Sequence, residues 1–403
     1  MLSMLSKDLE ALKGSSRPKA FAMPAGFSGC AFWRFRLPIW KLMERQDRKM
    51  DVIICDNPDK LIQMKDVQWS SENCDVIHMQ SPGGRDCIEL MHLYHAKKKG
   101  VLIDYDDYSF DLSPGNPRYA QLGIKECDVL DEEGKKIFEW RDGQNGFNLE
   151  ENLEKYNAFL ETIKMADAIT TTTDYLADRF RPYNPNVIIC PNAIDLDRWV
   201  TLPRPTGGRL DGQVRIGYFG GDSHYTDIRL FKTLLPRLCA KYPQVKIVLQ
   251  CPPVKEWGEI FKNIPPAQME WYNWVDLRYY PLFLASRYWD IGLIPLDTGI
   301  DREFNMAKSA IKWMEFTAIG AAVVAQNMIP YAPVIKNGET GILANTEEEW
   351  FEACCKLIED RVKRTEMAQA ALSEVRARHN LADQCLMWDR AYASVLEKTK
   401  RVV

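Results

Sequence analysis

Residues 214–227 read VRIGYFGGDSHYTD. An apolar, strand-like run ends at Gly220 and Gly221, and a helical pattern follows. Glycines let backbone amides approach a ligand closely, and the start of a helix adds unpaired N–H groups and a positive dipole end. Ser223 and His224 add side-chain donors to the same turn. The pattern favours a phosphate-binding turn, with an ordinary strand-to-helix turn as the alternative.

Strand-like and helical segments alternate on both sides of this turn. The predicted strands are Lys19–Met23, Asp51–Cys55, Asp75–Met79, Val101–Tyr105, Ala168–Thr172, Val187–Cys190, Val214–Phe219, Val245–Cys251, Asp290–Pro295, Ala321–Ala325 and Thr340–Ala344. The predicted helices include Cys87–Lys99, Glu151–Ala166, Asp227–Lys241, Ala307–Ile319 and Glu347–Ala371. Strands separated by helices indicate parallel sheets covered on both faces, with ligands at the carboxyl ends of the strands.

The chain has 403 residues, and a single hydrophobic core rarely supports a chain of this length. Residues 201–213, TLPRPTGGRLDGQ, are rich in Pro and Gly and predict a linker. We therefore expect an N-terminal domain over residues 1–200 and a C-terminal domain over residues 214–375. A C-terminal helix over residues 376–403 is expected to pack back on the N-terminal domain.

Charge and cysteine content limit the class of protein. The net charge of −4 excludes a protein that is basic overall. Residues 1–50 carry ten Lys and Arg against four acids, which indicates either an anionic partner or a region covered by acids from elsewhere in the chain. The 11 cysteines include no C-x-x-C pair and are typical of buried thiols in a reducing compartment, so we expect a cytoplasmic protein.

No stable membrane insertion is expected. No apolar run is long enough to span a bilayer, and the first 14 residues, MLSMLSKDLEALKG, lack the apolar core of a signal peptide. Their leucines share one helical face, which favours a docking helix over a membrane-surface anchor.

The segment 300–320, IDREFNMAKSAIKWMEFTAIG, contains a second candidate site. A helix is predicted to begin near Met306 or Ala307, which places Lys308 in its first turn. A cation there opposes the helix dipole unless an anion such as a diphosphate is bound. Glu315 lies two turns further on the same side, and a carboxylate can accept both hydroxyls of a ribose. A solvated surface helix is the alternative.

Two loops in the first half also carry polar residues. In the segment 104–119, DYDDYSFDLSPGNPRY, Asp104, Asp106 and Asp107 stand at a strand end, where they could hold a divalent metal or accept a proton from an acceptor hydroxyl. No His or Cys lies at zinc-ligand spacing, and a solvated acidic run is the alternative. The segment 190–195, CPNAID, forms a tight turn after a strand.

The segment 24–38, PAGFSGCAFWRFRLP, follows the first predicted strand. Gly26 and Gly29 allow a turn, and aromatic residues alternate with Arg34 and Arg36. Aromatic rings beside arginines suit stacking on bases or sugars next to phosphate. An amphipathic helix with its aromatic rings in the core is the alternative.

Three of these blocks resemble a known family. CPNAID is similar to the PNG-[IV]-D signature of retaining GT-B glycosyltransferases of the glycogen-synthase-like group, with Ala193 in place of Gly. KSAIKWMEFTAIGAAVVA followed by NGETGILA is similar to the donor-site block of that group. The matching residues are Glu315, Gly320, Val323, Val324, Asn337, Gly338 and Gly341. The order and spacing of the blocks fit from about residue 187 to residue 345.

The resemblance implies an α/β GT-B fold, with two Rossmann-like doubly wound domains facing a cleft. It implies transfer of a sugar with retention of configuration from a nucleotide-sugar co-substrate, expected to be a UDP-sugar such as UDP-glucose. No further cofactor and no metal are expected.

The resemblance also assigns the donor site. It implies that Glu315 binds the ribose and that Lys308 and the Gly220–Gly221 turn hold the diphosphate. The family usually carries two glutamates in this block, and Ala307 occupies the position of the earlier one here. Asn305 or Glu303 is expected to take over the role of that glutamate.

The family usually carries an Arg and a Lys after the first strand of the C-terminal domain, and this chain has neither of them there. Ser223 and His224 stand in that region instead. We take Lys308, His224, Asp106 and Asp107 as catalytic candidates.

The first-half segments SGCAFWRFRLP and DYDDYSFDLSPGNPRY resemble bacteriophage-encoded glycosyltransferases, which carry YRxxLP and DDDxxxxPxxNP segments. This resemblance and the basic start favour a hydroxymethylated pyrimidine in double-stranded DNA as acceptor, in the host cytoplasm if the protein is phage-encoded. Gly26, Gly29, Arg34 and Arg36 are the acceptor-side candidates.

Other functions stay open. A cell-surface glycan, a lipid carrier or a small molecule is the alternative acceptor. Because Ala307 replaces a glutamate that is usual in the family, a further hypothesis is a non-catalytic module that binds nucleotide sugar or DNA. An NAD-type enzyme is disfavoured because no G-x-G-x-x-G opens either domain.

Overall fold

The chain divides into two compact units in the computed structural model. The structure describes residues 14–26, 28–55, 64–116, 118–130, 134–199, 212–221, 224, 226–251 and 255–401. Unit 1 comprises Met1–Asp111, Arg118–Asn192 and Leu381–Val403, and unit 2 comprises Leu112–Pro117 and Ala193–Asn380. The expected docking helix and the predicted linker up to residue 211 lie outside the described residues.

Unit 1 is built on a six-stranded parallel sheet. Its strands are β1 (Lys19–Met23), β2 (Asp51–Ile54), β3 (Val76–Gln80), β4 (Gly100–Asp104), β7 (Ala168–Thr171) and β8 (Val187–Ile189), and a separate antiparallel hairpin joins β5 (Cys127–Leu130) to β6 (Lys136–Trp140). The sheet order is β2-β1-β3-β4-β7-β8. Because β1 to β4 are buried along almost their whole length, they are rich in Val, Ile and Ala rather than alternating.

Helices cover this sheet. A π-helix at Ala31–Arg36 runs into α1 (Leu37–Met43), followed by α2 (Met64–Asn73), α3 (Arg85–Ala96), α4 (Tyr119–Leu122), α5 (Leu149–Met165) and α6 (Asp174–Phe180). Local side chains fix two of the helix starts. The Asn148 side chain accepts from the Glu151 N–H at α5, and Thr173 does the same for Leu176 at α6.

Unit 2 is built on a second six-stranded parallel sheet. Its strands are β9 (Val214–Phe219), β10 (Val245–Gln250), β11 (Met269–Tyr272), β12 (Ile291–Ile294), β13 (Ala322–Gln326) and β14 (Ile342–Ala344). The order is β11-β10-β9-β12-β13-β14, the doubly wound order of Rossmann-type sheets. A buried cluster packs the strands against helices on one face.

The helices of unit 2 differ from the predicted ones at two breaks. They are α7 (Phe231–Lys241), α8 (Lys255–Phe261), α9 (Tyr280–Ser286), α10 (Arg302–Met306), α11 (Ile311–Ala318), α12 (Glu347–Glu359) and α13 (Arg361–Arg378), with 3-10 turns at Asp227–Leu230 and Pro266–Gln268. The single helix predicted over Glu347–Ala371 is two helices, because the Asp360 side chain caps a new helix by accepting from the Lys363 N–H.

The last helix, α14 (Leu381–Arg401), belongs to unit 1. Cys385, Trp388, Tyr392 and Val395 lie in the buried cluster of that unit. The Asp389 carboxylate accepts hydrogen bonds from the backbone N–H groups of Lys49 (2.9 Å) and Met50 (3.1 Å). The observed boundary at Asn380 falls five residues beyond the predicted one, where the backbone of Asn380 pairs with Ile194 within unit 2.

None of the helices in the described ranges is both long enough and apolar enough to cross a lipid bilayer.

Substitution of Trp388 by Ala should destabilise unit 1. The Trp388 ring is 2% exposed and lies 5.3 Å from the His78 ring and 4.6 Å from the Arg34 guanidinium. Truncating a buried aromatic side chain typically lowers the free energy of unfolding by about 3–5 kcal/mol. Urea denaturation measures the loss, with Arg390→Ala on the exposed face of the same helix as control. Equal stability of the two variants would contradict this packing.

Candidate functional site

The strand order of the unit 2 sheet changes direction between the neighbouring strands β9 and β12. From β9 the chain extends to β10 and β11 and then returns to β12 on the other side of β9. In doubly wound sheets, ligands bind at such a switch point, beside the carboxyl ends of the strands. The loops after β9 and β12 and the helix α11 contribute the polar residues described below.

The Gly220 position has no room for a side chain. A Cβ added there would lie 2.3 Å from the Tyr218 hydroxyl oxygen and 2.9 Å from Lys312 Nζ. The Gly220 N–H, however, donates to the Gln250 carbonyl at 3.1 Å. Glycine is therefore required for close packing, and its amide is not free for the diphosphate as the sequence had suggested.

The Asp227 carboxylate connects the polar residues of the site. Its Oδ1 accepts hydrogen bonds from Asn305 Nδ2 (2.6 Å) and the Asp297 N–H (2.7 Å). Its Oδ2 lies 2.6 Å from His224 Nδ1 and 3.2 Å from Lys308 Nζ. Burial by itself would raise the pKa of Asp227, but Lys308 and His224 hold it well below its usual range.

His224 is neutral in this setting. Burial, followed by the nearby charges of Lys308 and Lys312, lowers the pKa of His224 to about 3. Because the ionised Asp227 carboxylate can only accept, the imidazole carries its proton on Nδ1 and leaves Nε2 as an acceptor.

Lys308 does not lie in the first turn of a helix, which corrects the prediction. It falls in the turn between α10 and α11, because the helix predicted from Met306 or Ala307 is broken there. Its ammonium lies 3.2 Å from Asp227 Oδ2 and 3.1 Å from His224 Nδ1. The lysine in the first turn of α11 is instead Lys312, which is not among the predicted site residues.

Lys312 contributes an ammonium beside the Gly220 turn. Its Nζ lies 4.9 Å from the centre of the Tyr218 ring. Burial, and then the neighbouring Lys308, lower the pKa of Lys312 to about 7. Within the described chain, no hydrogen bond or ion pair holds this ammonium.

Glu315 lies on the same helix, one turn after Lys312. Its side chain is 6% exposed, and no described group donates a hydrogen bond to its carboxylate. Burial raises the pKa of Glu315 to about 8, against an opposing effect of Lys312. A buried carboxylate without donors is costly unless a ligand supplies them.

The other predicted donor-site residues have different environments. Asn305 is fully buried, and its Nδ2 donates to the Asp227 carboxylate and to the Asp297 carbonyl, so it links the loops after β9 and β12. Glu303 is exposed and paired with Arg302. Ser223 lies outside the described residues.

Arg34, expected on an acceptor, is buried instead. Its guanidinium binds both oxygens of Asp104, at 2.7 and 3.2 Å, and donates to the Cys190 carbonyl and to Asn192 Oδ1. The Trp388 ring covers it. Arg34 thus ties the CPNAID turn to the end of β4, and Arg36 is also buried, at 4% exposed.

The remaining basic residues near the start are mostly paired. The ion pairs are Arg17 and Arg48 with Asp51, Arg45 with Asp47, and Lys41 with Glu44. Four of the six remaining basic residues in the described part of the segment are therefore ion-paired.

Asp106 and Asp107 lie just after β4. Burial, followed by the charges of Asp107 and Asp104, raises the pKa of Asp106 to about 7. Asp107 accepts from the Ser109 hydroxyl at 2.6 Å. Asp106 can therefore gain or lose a proton near neutral pH, as a general base requires. Gly26, with φ of +128°, lies in the loop after β1, and Gly29 lies in the helical turn just before the π-helix.

A cavity of about 590 Å³ opens in unit 1 at the carboxyl ends of β1, β2 and β3. Met23, Met64, Met79 and Leu90 contribute apolar walls, and Asp86 and Glu89 contribute carboxylates. Among its described lining residues there is no Lys or Arg. In the described ranges, no three His, Cys, Asp or Glu side chains are grouped closely enough to hold a metal ion.

No protein-family model matches the sequence, and no curated protein matches it either.

The whole chain is similar in fold to solved glycosyltransferases. A glycosyltransferase from Rickettsia africae is 10% identical, with a TM-score of 0.63 over 95% of this chain and 100% of that one. Sucrose-phosphate synthase from Thermosynechococcus elongatus is 12% identical, with a TM-score of 0.61 over 95% and 100%. HepE from Anabaena, solved with UDP, is 12% identical, with a TM-score of 0.57 over 94% and 100%. The two units therefore form a GT-B fold.

The stability of the protein should depend on the ionisation of Glu315. Because its pKa is about 8 in the folded chain and 4.5 ordinarily, its contribution to stability is fully present below about pH 4.5 and is lost as the pH rises through 8. Glu315→Gln should therefore match the unmodified protein in Tm at pH 4 and exceed it at pH 9. Thermal denaturation at both pH values measures the difference, with the exposed Glu366→Gln as control. A Tm difference that does not vary with pH would contradict the burial of an ionisable carboxyl.

Proposed function

We propose that this protein is a glycosyltransferase that takes a sugar from a UDP-sugar bound at the switch point of unit 2. The observation that carries this proposal is the Glu315 carboxylate, buried and without a described donor, beside lysine ammonium groups and a glycine turn. A nucleoside diphosphate has the complementary groups, since its ribose carries two hydroxyl donors and its phosphates are anions. HepE, which shares the fold, has been solved with UDP and with UDP-glucose.

The residues of unit 2 suit departure of a nucleoside diphosphate. Cations and first-turn amides aimed at the leaving oxygen can stabilise its developing charge by several kcal/mol. In this scheme the Asp227 carboxylate holds the Lys308 ammonium in position through their ion pair. The Nε2 atom of His224 is an acceptor. The scheme requires no divalent metal, and we expect transfer with retention of configuration.

In unit 1 we assign Asp106 as the group that accepts the proton of the acceptor hydroxyl. Its raised pKa near 7 suits proton transfer at neutral pH. Asp107 lies next to it and supports that raised pKa through its negative charge.

The donor assignment predicts selective stabilisation by nucleotides. UDP at 100 times its dissociation constant should stabilise the protein by about 2.7 kcal/mol, and GDP or ADP at equal concentration by less. Glu315→Ala should abolish the shift and the exposed Glu366→Ala should keep it. Thermal-shift measurements with the three nucleotides provide the test. Release of UDP from UDP-glucose without acceptor then separates an enzyme from a binding protein, and binding of none of the nucleotides would refute the donor site.

The DNA acceptor has weaker support than the donor. Arg34 and Arg36 are buried, and four of the other basic residues near the start are ion-paired. The cavity of unit 1 carries carboxylates, which repel phosphate. We therefore favour an acceptor without a phosphate backbone, such as a glycan or a small molecule with an apolar part.

Binding to duplex DNA should accordingly be weak. We expect no electrophoretic shift of hydroxymethylated or unmodified 30-base-pair DNA at 150 mM salt, because counter-ion release needs several free cations on one face. A salt-sensitive shift that prefers the hydroxymethylated duplex would restore the DNA acceptor.

A further inference from the structure

The family that this chain resembles places an Arg and Lys pair after the first strand of the donor domain, and this chain has Ser223 and His224 there. Three other sources of counter-charge are present in unit 2: the Gly220 amide, Lys308 and Lys312. Their contacts differ, and those contacts decide which group is available to an anion.

Two of the three sources are already engaged. The Gly220 N–H donates to the Gln250 carbonyl and continues the β9–β10 ladder. The Lys308 ammonium is 3.2 Å from the ionised Asp227 carboxylate, so its charge is neutralised within the protein. Binding a diphosphate through Lys308 would leave Asp227, which is 3% exposed, without its cation.

The third source is available. The Lys312 ammonium has no hydrogen bond or ion pair within the described chain. It projects from the first turn of α11 to the place where a Cβ on Gly220 would lie, 2.9 Å from that position. It is one turn from Glu315, so that one helix face presents an ammonium and a carboxylate to the same space.

We propose that Lys312 is the residue that binds the donor diphosphate, and that Lys308 is a positioning residue that holds the Asp227 carboxylate, which in turn accepts from His224. This assignment rests on the proposed function of unit 2. Lys312 thereby replaces, from a different element of the fold, the basic pair that the chain lacks after β9. A side chain at position 220 would meet the Tyr218 hydroxyl first and then the Lys312 ammonium, so the glycine leaves room for both.

The two lysines should respond in opposite ways to substitution. Lys312→Met removes a poorly solvated charge, so its apo Tm should equal or exceed that of the unmodified protein. Lys308→Met removes the cation of a buried carboxylate, so its apo Tm should fall. A merely structural Lys312 would instead lower the Tm when replaced.

The test is calorimetric titration of the full chain with UDP and with uridine, which shares the base and ribose but has no phosphate. Lys312→Met should weaken UDP binding by about 10- to 100-fold, the range for loss of a charge-assisted hydrogen bond, and leave uridine binding unchanged. Lys312→Arg should recover most of the UDP affinity. Lys232→Met, at an exposed position of α7, is the matched control.

The outcomes separate this assignment from the proposed function. If the unmodified protein binds UDP tightly and Lys312→Met binds it equally well, the role of Lys312 is overturned and the proposed donor site is retained. An equal loss for UDP and uridine would show a general distortion of the site and would also overturn it. If the unmodified protein binds neither UDP nor another nucleoside diphosphate, the proposed function fails and the role of Lys312 fails with it.

Discussion

The ionised carboxylate of Asp227 joins the separate loops from which the candidate site of unit 2 is made. It receives hydrogen bonds from the loop after β9, through His224, and from the loop after β12, through the Asp297 N–H. It also receives them from Asn305 and Lys308 at the end of α10. An acceptor with four donors stays charged even when buried, because its donors replace the lost water. The position of Lys308, the tautomer of His224 and the path of both loops therefore follow from this single group.

Most strands of the two sheets were predictable from the sequence because they are almost fully buried. Lys19–Met23 and Val214–Phe219 match the observed strands, and most other predicted strands agree within one or two residues. β11 was missed because Met269–Tyr272, with the sequence MEWY, is only partly buried and has no continuous apolar run. The break between α10 and α11 was missed because no Gly or Pro marks it. The resulting shift of register moved the first-turn lysine from Lys308 to Lys312.

Charge patterns along the sequence were less informative about function than contacts in space. Arg34 was noticed because it lies among aromatic residues, but its partner Asp104 is 70 residues away, and the Trp388 ring that covers it is further still. No local pattern reveals such a pairing. Glu315 was identified by its place in a family block, and the structure adds that its carboxylate is buried without described donors. The resemblance thus drew attention to Glu315, whereas the environment of each cation depended on three-dimensional contacts.

The electrostatic cost at Lys312 and Glu315 is itself an argument for a ligand. Burial lowers the pKa of Lys312 and raises that of Glu315, so each group is driven toward its neutral form in the ligand-free protein. Two apolar side chains of similar shape would fit the same helix face at lower cost. On the proposed function, a ribose donates to the carboxylate while a phosphate accepts from the ammonium, and both costs are relieved together. Part of the affinity for a nucleoside diphosphate would then come from relief of a desolvation cost already present in the folded chain, and both residues contribute to it because they share one turn of α11.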